Sequence, residues 1–193
     1  MLKKSDIPQI IKVGIILFLI TGISALILAA ANNVTAPIIA ENDRIKQENA
    51  MRKVMPEADA ENGFEELAYI DEETNISKVF LAKKSGETCG YAVISAPTGY
   101  NGAVSMVVGI DLEGKVTGVD ITSQSETPGL GAKCVEPEFI EQFTGKTEGV
   151  EVVKSSAKEN EIDAITSATI TSKAVTLGVN NAIDAVKAVK EGE

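Results

Sequence analysis

The sequence predicts an α+β protein: a single apolar N-terminal helix, then an antiparallel sheet with flanking helices. Three observations carry this. Residues 13–31 form an uncharged apolar run, four short β-like runs lie between residues 76 and 124, and the C-terminal segment repeats its apolar residues at helical steps. Strands and helices in separate blocks, rather than alternating, indicate α+β.

The first element is "VGIILFLITGISALILAAA", residues 13–31. A helix of that length, rising about 1.5 Å per residue, matches the roughly 30 Å hydrocarbon core of a bilayer. A cleaved signal peptide ending at Ala29-Ala30-Ala31 is the competing reading. The run is longer than a usual signal core, which favours a retained transmembrane helix. Lys3, Lys4 and Lys12 precede it and "NNVTAPIIAEND" follows, so the positive-inside rule places residues 1–12 in the cytoplasm and the remainder outside. Thr35 and Pro37 suit the start of a second helix. Ile38, Ile39, Ile45, Met51, Val54 and Met55 continue it loosely to Pro56, making residues 32–62 a stalk and linker.

Residues 63–193 form the expected extracytoplasmic domain. "ISKVFLAKK", "CGYAVISA", "AVSMVVGIDL" and "KVTGVDITSQ" read as strands, separated by turn signals at Gly86, "PTGYNG" and "DLEGK". "SETPGLGAK" is a loop, and "EPEFIEQFTGK" a short helix closed by Gly145. From Thr171 onward Val175, Val179, Ala182, Val186 and Val189 share one helical face.

Composition excludes several functions. Beyond residue 12 the chain holds 15 basic and 27 acidic side chains, about −12 in net charge, so a nucleic-acid partner, which needs a basic face, is not expected. There is no histidine, which removes the commonest general base and metal ligand. Cys89 and Cys134 are far apart and form no CxxC, so no metal site is expected; two free thiols are the simpler reading, and a disulfide stays open.

The candidate site is "DAITSATITS", residues 163–172, with five hydroxyls: Thr166, Ser167, Thr169, Thr171 and Ser172. One of them could merely cap the following helix. Several hydroxyls at a helix N-terminus, beside the small Ala168, also suit a phosphate group. A serine or threonine nucleophile needs a base, and nothing places one.

Asp163-Ala164-Ile165-Thr166-Ser167-Ala168-Thr169 resembles the flavinylation motif, Asp-x-x-(Ser/Thr)-Gly-Ala-Thr, of bacterial FMN-binding domains. "GYNGAVSMVVGID", "GKVTGVDITSQSETPGLGAK" and "FIEQFTGK" resemble further segments of that family in order. Together with the single span and the length, they make the chain similar to the G subunits of Rnf electron-transport complexes. The resemblance implies FMN linked by a phosphoester to Thr169, put there by a flavin transferase. It further implies that Asp163 orients the motif or caps the turn, and that Thr166 and Ser167 hydrogen-bond the phosphate beside Ala168. Glu126, Thr127, Gly129 and Leu130 would then cover one face of the ring, and Lys133 would offset negative charge. The implied role is an electron-relaying, membrane-anchored subunit of an ion-pumping ferredoxin:NAD oxidoreductase, with the other Rnf subunits as partners and no catalysis alone. Ion movement does not lie here alone, since residues 13–31 carry no ionisable group.

Ser167 departs from the family's glycine. If that glycine serves close approach to phosphate, serine is a mild change, and this is the expectation; if it serves a positive φ, serine is strained. Two alternatives remain: the C subunit of a sodium-pumping NADH:quinone reductase, which shares the architecture but is usually longer, and an anchored binding module without cofactor.

Overall fold

The computed structural model describes residues 7–69, 74–147 and 149–192. Lys3 and Lys4 lie outside the described residues; Lys12 is exposed. The first helix, α1 (Ile7–Val54), contributes to two compact units, residues 1–44 and 45–193.

In the first unit α1 is apolar around its circumference, with Ile15, Leu17, Phe18, Leu26 and Leu28 all exposed. It is the one helix among the described residues long and apolar enough to cross a membrane. Thr35 does not start a new helix, contrary to expectation. It sits inside α1, and its hydroxyl donates to the Ala31 carbonyl at 3.0 Å. Pro37 is accommodated within the same helix, although a proline there removes a donor from the ladder and crowds the carbonyl four residues back.

The second unit is built on a five-stranded antiparallel meander, in the order β1 (Phe64–Leu67), β2 (Ile76–Lys84), β3 (Glu87–Ser95), β4 (Ser105–Asp111) and β5 (Val116–Ser123). The four expected runs are β2 to β5. The β4–β5 turn forms at "DLEGK", where Asp111 Oδ1 accepts the N–H groups of Glu113 and Lys115 and Gly114 takes φ +85°. Three strands were not anticipated: β1, and the short parallel pair β6 (Glu151–Val153) and β7 (Glu161–Asp163). At three or four residues each they are too short to show a period.

Alternation along the strands makes both sheet faces apolar. Val79, Tyr91, Val93, Met106, Val108 and Ile110 point to one face, where the last helix, α3 (Thr169–Gly192), covers them with Val175, Val179, Ala182, Ile183 and Val186. Ala82, Ala92, Ile94 and Val107 point to the other, where they meet Ala50, Met51, Val54 and Met55 from the end of α1. The result is three layers: helix end, sheet and helix. Gly109 and Gly118 make the second contact close, since a Cβ on Gly109 would stand 2.6 Å from the Val54 carbonyl oxygen. The Thr117 hydroxyl donates to that same carbonyl at 2.6 Å, satisfying a helix-end acceptor.

The expected short helix is α2 (Pro137–Ile140), prolonged by a 3-10 turn over Glu141–Phe143, and another 3-10 turn covers Gly131–Val135. Both cysteines are free thiols, Cys134 within the first core and Cys89 beside the second, so the sheet separates them.

Candidate functional site

Strand β7 ends at Asp163, and the chain crosses residues 164–168 before α3 begins at Thr169. The crossing is fixed mainly by one side chain. Ser172 Oγ accepts the Ile165 N–H at 2.9 Å and donates to the Ala168 carbonyl at 3.0 Å, while the Ser172 N–H also reaches Ala168 O at 3.0 Å. The expected cap thus exists in reverse: a serine in the first turn of the helix bonds back to the segment before it. Ser167 takes φ +63°. Here the sequence expectation is corrected, because the motif position demands left-handed backbone, which glycine adopts freely and serine only at a cost. Ser167 is not the mild change the closeness argument suggested.

Burial sorts the five hydroxyls. Thr171 and Ser172 are 1% and 0% exposed and have internal partners, whereas Thr166, Ser167 and Thr169 are exposed, Thr169 in the first turn of α3. The backbone N–H groups of that turn have no acceptor four residues back within the helix.

Beside that turn lies an open cleft of about 530 Å³, lined by Tyr100, Glu126, Thr127, Leu130, Gly131 and residues 167–171. Six of the ten candidate residues meet there: Glu126, Thr127, Leu130, Ser167, Ala168 and Thr169. Asp163, Thr166 and Lys133 face a second hollow of about 500 Å³ on the other side of the motif, with Glu136, Glu138 and Gln142. Asp163 is held firmly there. Its Oδ1 accepts the Ala157 N–H at 2.9 Å, and its own N–H donates to Gln142 Oε1 at 2.7 Å. Gly129 lines neither hollow.

"ETPGLG" forms a tight turn in which the Leu130 N–H donates to the Thr127 carbonyl at 3.1 Å. Pro128 followed by Gly129 at φ +77° suits a turn that needs a left-handed third residue. A Cβ on Gly129 would meet nothing within 4 Å, so this glycine is there for its φ. Gly131 is the close-approach glycine: a Cβ would lie 2.5 Å from Glu126 Oε2 and 2.6 Å from Thr171 Oγ1.

Tyr100, Ile170 and Gly131 belong to the cleft and were not assigned from sequence; Thr171, one of the five candidate hydroxyls, lines it as well. Tyr100 and Ile170 are 70% and 55% exposed, and with Leu130 they rim it with apolar surface. An aromatic at the tip of "PTGYNG" and an isoleucine off the buried face of α3 were the available signals.

A threonine hydroxyl at a helix N-terminus, next to an open cleft with apolar walls, fits a ligand with a phosphate end and a flat apolar body. Cys134 lies behind the cleft wall. Burial first, and then the Glu126 carboxylate, push its thiol up to about 11, so it is a packing residue and not a nucleophile.

Comparison with known proteins agrees with this geometry. Residues 99–184 match a family model described as an FMN-binding domain, and residues 1–54 match one described as the RnfG N-terminal region. The chain is 42% identical over 192 residues to the G subunit of the Na(+)-translocating ferredoxin:NAD(+) oxidoreductase complex of Acetobacterium woodii, covering 92% of each chain. It is 34% identical over 195 residues to the G subunit of the proton-translocating ferredoxin:NAD(+) oxidoreductase complex of Clostridium ljungdahlii, covering 100% of each. Among solved structures, Shewanella oneidensis NqrC superposes with a TM-score of 0.57 at 18% identity, over 72% of this chain and 93% of that one, a likeness of fold.

Proposed function

The chain belongs to the RnfG family of ion-translocating oxidoreductase G subunits, and from that premise we propose that it is the flavin-bearing relay of an Rnf-type ferredoxin:NAD oxidoreductase complex, with FMN esterified to Thr169. One observation carries the attachment point. Of the threonines and serines in residues 163–172, Ser167, Thr169 and Thr171 line the cleft; Thr171 is spent on a buried bond to Glu126, and of the other two only Thr169 stands within the first turn of α3.

The balance of the reaction is simple. The Thr169 hydroxyl gives up its hydrogen, its oxygen forms a bond to the FMN phosphorus of FAD, and AMP and a proton leave, with a flavin transferase supplying the base this motif lacks. The first-turn N–H groups of α3 then face the phosphate, and the Ser167 hydroxyl is a further donor. Asp163 keeps the crossing segment in place through Gln142 and Ala157, away from the cleft. Tyr100, Leu130 and Ile170 provide apolar walls for the ring system, Thr127 stands at their edge, and the Gly129 turn holds Leu130 there. When bound, the flavin supplies one-electron chemistry, and a tether by phosphate leaves its ring unmodified and prevents its loss outside the cytoplasm. Lys133, from the far side of the motif, contributes positive charge.

The apolar circumference of α1 up to Val34 supports a single transmembrane anchor over residues 13–31, since so much exposed apolar surface is stable only in lipid or against partner helices. In this reading residues 1–12 are cytoplasmic, residues 32–62 lead away from the membrane, and residues 63–193 lie outside the cytoplasm. The remaining complex subunits are the membrane partners.

The test is flavin fluorescence of the denatured full-length chain after gel electrophoresis. The wild-type band should fluoresce and the Thr169→Ala band should not, with Thr171→Ala still fluorescent. A fluorescent Thr169→Ala band would remove the assignment.

A further inference from the structure

Glu126 is the one charged side chain among the described residues on the wall of the Thr169 cleft, and it is only 5% exposed. Burying a carboxylate is costly unless donors surround it. Here its two oxygens serve two different segments. Oε1 accepts the Asn101 N–H at 2.9 Å, fixing the turn that carries Tyr100; Oε2 accepts the Thr171 hydroxyl at 2.5 Å, fixing the first turn of α3. The turn that carries Leu130 follows Glu126 directly in the chain. Gly131 leaves the space this arrangement needs. Three walls of the cleft therefore meet at one carboxylate, and among the described residues no ion pair joins it to a cation.

We propose that Glu126 is the positioning residue of the flavin cleft: it locks the Tyr100 turn and the first turn of α3 together, and its carboxylate opposes the negative charge that arrives with each electron. This rests on the reading of the cleft as the flavin site. The physical argument is Coulombic, and a low-dielectric wall strengthens it. An electron delivered to the ring by a redox partner adds one unit of negative charge unless a proton follows, and a fixed carboxylate beside the ring makes that addition harder. The bound flavin is thereby held at a lower potential, as a stronger one-electron donor. The same bond occupies the Thr171 hydroxyl, leaving Thr169 as the free threonine of the helix start.

Two variants separate charge from architecture in the full-length, flavin-loaded protein, titrated with dithionite and mediators. Glu126→Gln keeps an oxygen for the Asn101 N–H and an amide for Thr171 Oγ1 but removes the charge; Thr171→Val removes the bond and keeps the charge. The expected result is full flavin content in both, a midpoint potential raised in Glu126→Gln, and no rise in Thr171→Val. Amide hydrogen exchange in a Thr169→Ala background provides a readout independent of flavin. There Glu126→Ala and Thr171→Val should each speed exchange in the first turn of α3, and Glu126→Ala alone should speed it at Asn101. An unchanged potential in Glu126→Gln, an equal rise in both variants, loss of flavin from Glu126→Gln, or unchanged exchange each overturns the proposal. If Thr169→Ala keeps its covalent flavin, the underlying reading of the cleft fails; if it loses the flavin and the potentials still stay level, the proposal alone fails.

Discussion

Replacing Ser167 with glycine should stabilise the domain, although it enlarges no contact. Ser167 holds φ +63°, where an L side chain crowds its own backbone at a cost of about 1–2 kcal/mol. Glycine removes that cost but gives the unfolded chain extra freedom worth roughly 0.4–1 kcal/mol. Ser167 is exposed, so no packing is lost. The balance is a gain of about 0.5–1 kcal/mol, or roughly 1–4 °C in melting temperature for a domain of this size. Ser167→Val should move the other way by about 1 kcal/mol, because a β-branched residue tolerates left-handed backbone least. Scanning calorimetry of the full-length protein in detergent measures both, and a Thr169→Ala background keeps flavin content constant. A Ser167→Gly protein that melts below its parent, or a Ser167→Val protein that melts at or above it, would refute the account of this motif's backbone.

Gly109→Ala should cost about 2 kcal/mol, since its Cβ would press on the Val54 carbonyl oxygen at 2.6 Å and part the end of α1 from the sheet; an unchanged melting temperature would contradict that packing. The Cys134 thiol is raised to about 11 from 9.0, so burial favours its neutral form. Its stabilising contribution is complete below pH 9, and as pH rises towards 11 the folded state should lose about 2 kcal/mol at this group. In Cys134→Ala that part of the alkaline slope should vanish, which pH-dependent denaturant melts would show. A cysteine replacing the exposed Lys187 in a Cys89→Ser background should react with a membrane-impermeant thiol reagent in intact cells; protection that ends on lysis would reverse the proposed topology.

The long elements were legible because their apolar residues recur at one period over many positions. Val175, Val179, Ala182 and Val186 are buried as the helical spacing required, and β2 to β5 fall on the four runs rich in Val and Ile. β1, β6 and β7 were not, being too short for alternation to register; their partners across the sheet define them. Thr35 and Pro37 misled for a different reason. A cap and a helix-start proline are the same residues that a continuous helix tolerates, and only the bond from Thr35 to Ala31 distinguishes the cases. At the site, the motif from Asp163 to Thr169 announced a phosphate position, but sequence could not divide it between two hollows. That division follows from the fold, which turns Asp163 and Thr166 one way and Ser167 to Thr169 the other. Tyr100 joins the cleft on a turn before β4 that is tied to Ser125 and Glu126 through Asn101, contacts between residues 24 and 25 positions apart.

The most direct test of the flavin assignment is the intact mass of the full-length protein, made in cells that contain a flavin transferase, beside Thr169→Ala prepared in the same way. The wild-type chain should exceed its bare mass by one FMN less one water, and the variant should lack that increment. N-terminal processing would alter both equally. A wild-type protein without the increment, or a Thr169→Ala protein that retains it, would contradict the assignment of Thr169 as the flavin's anchor.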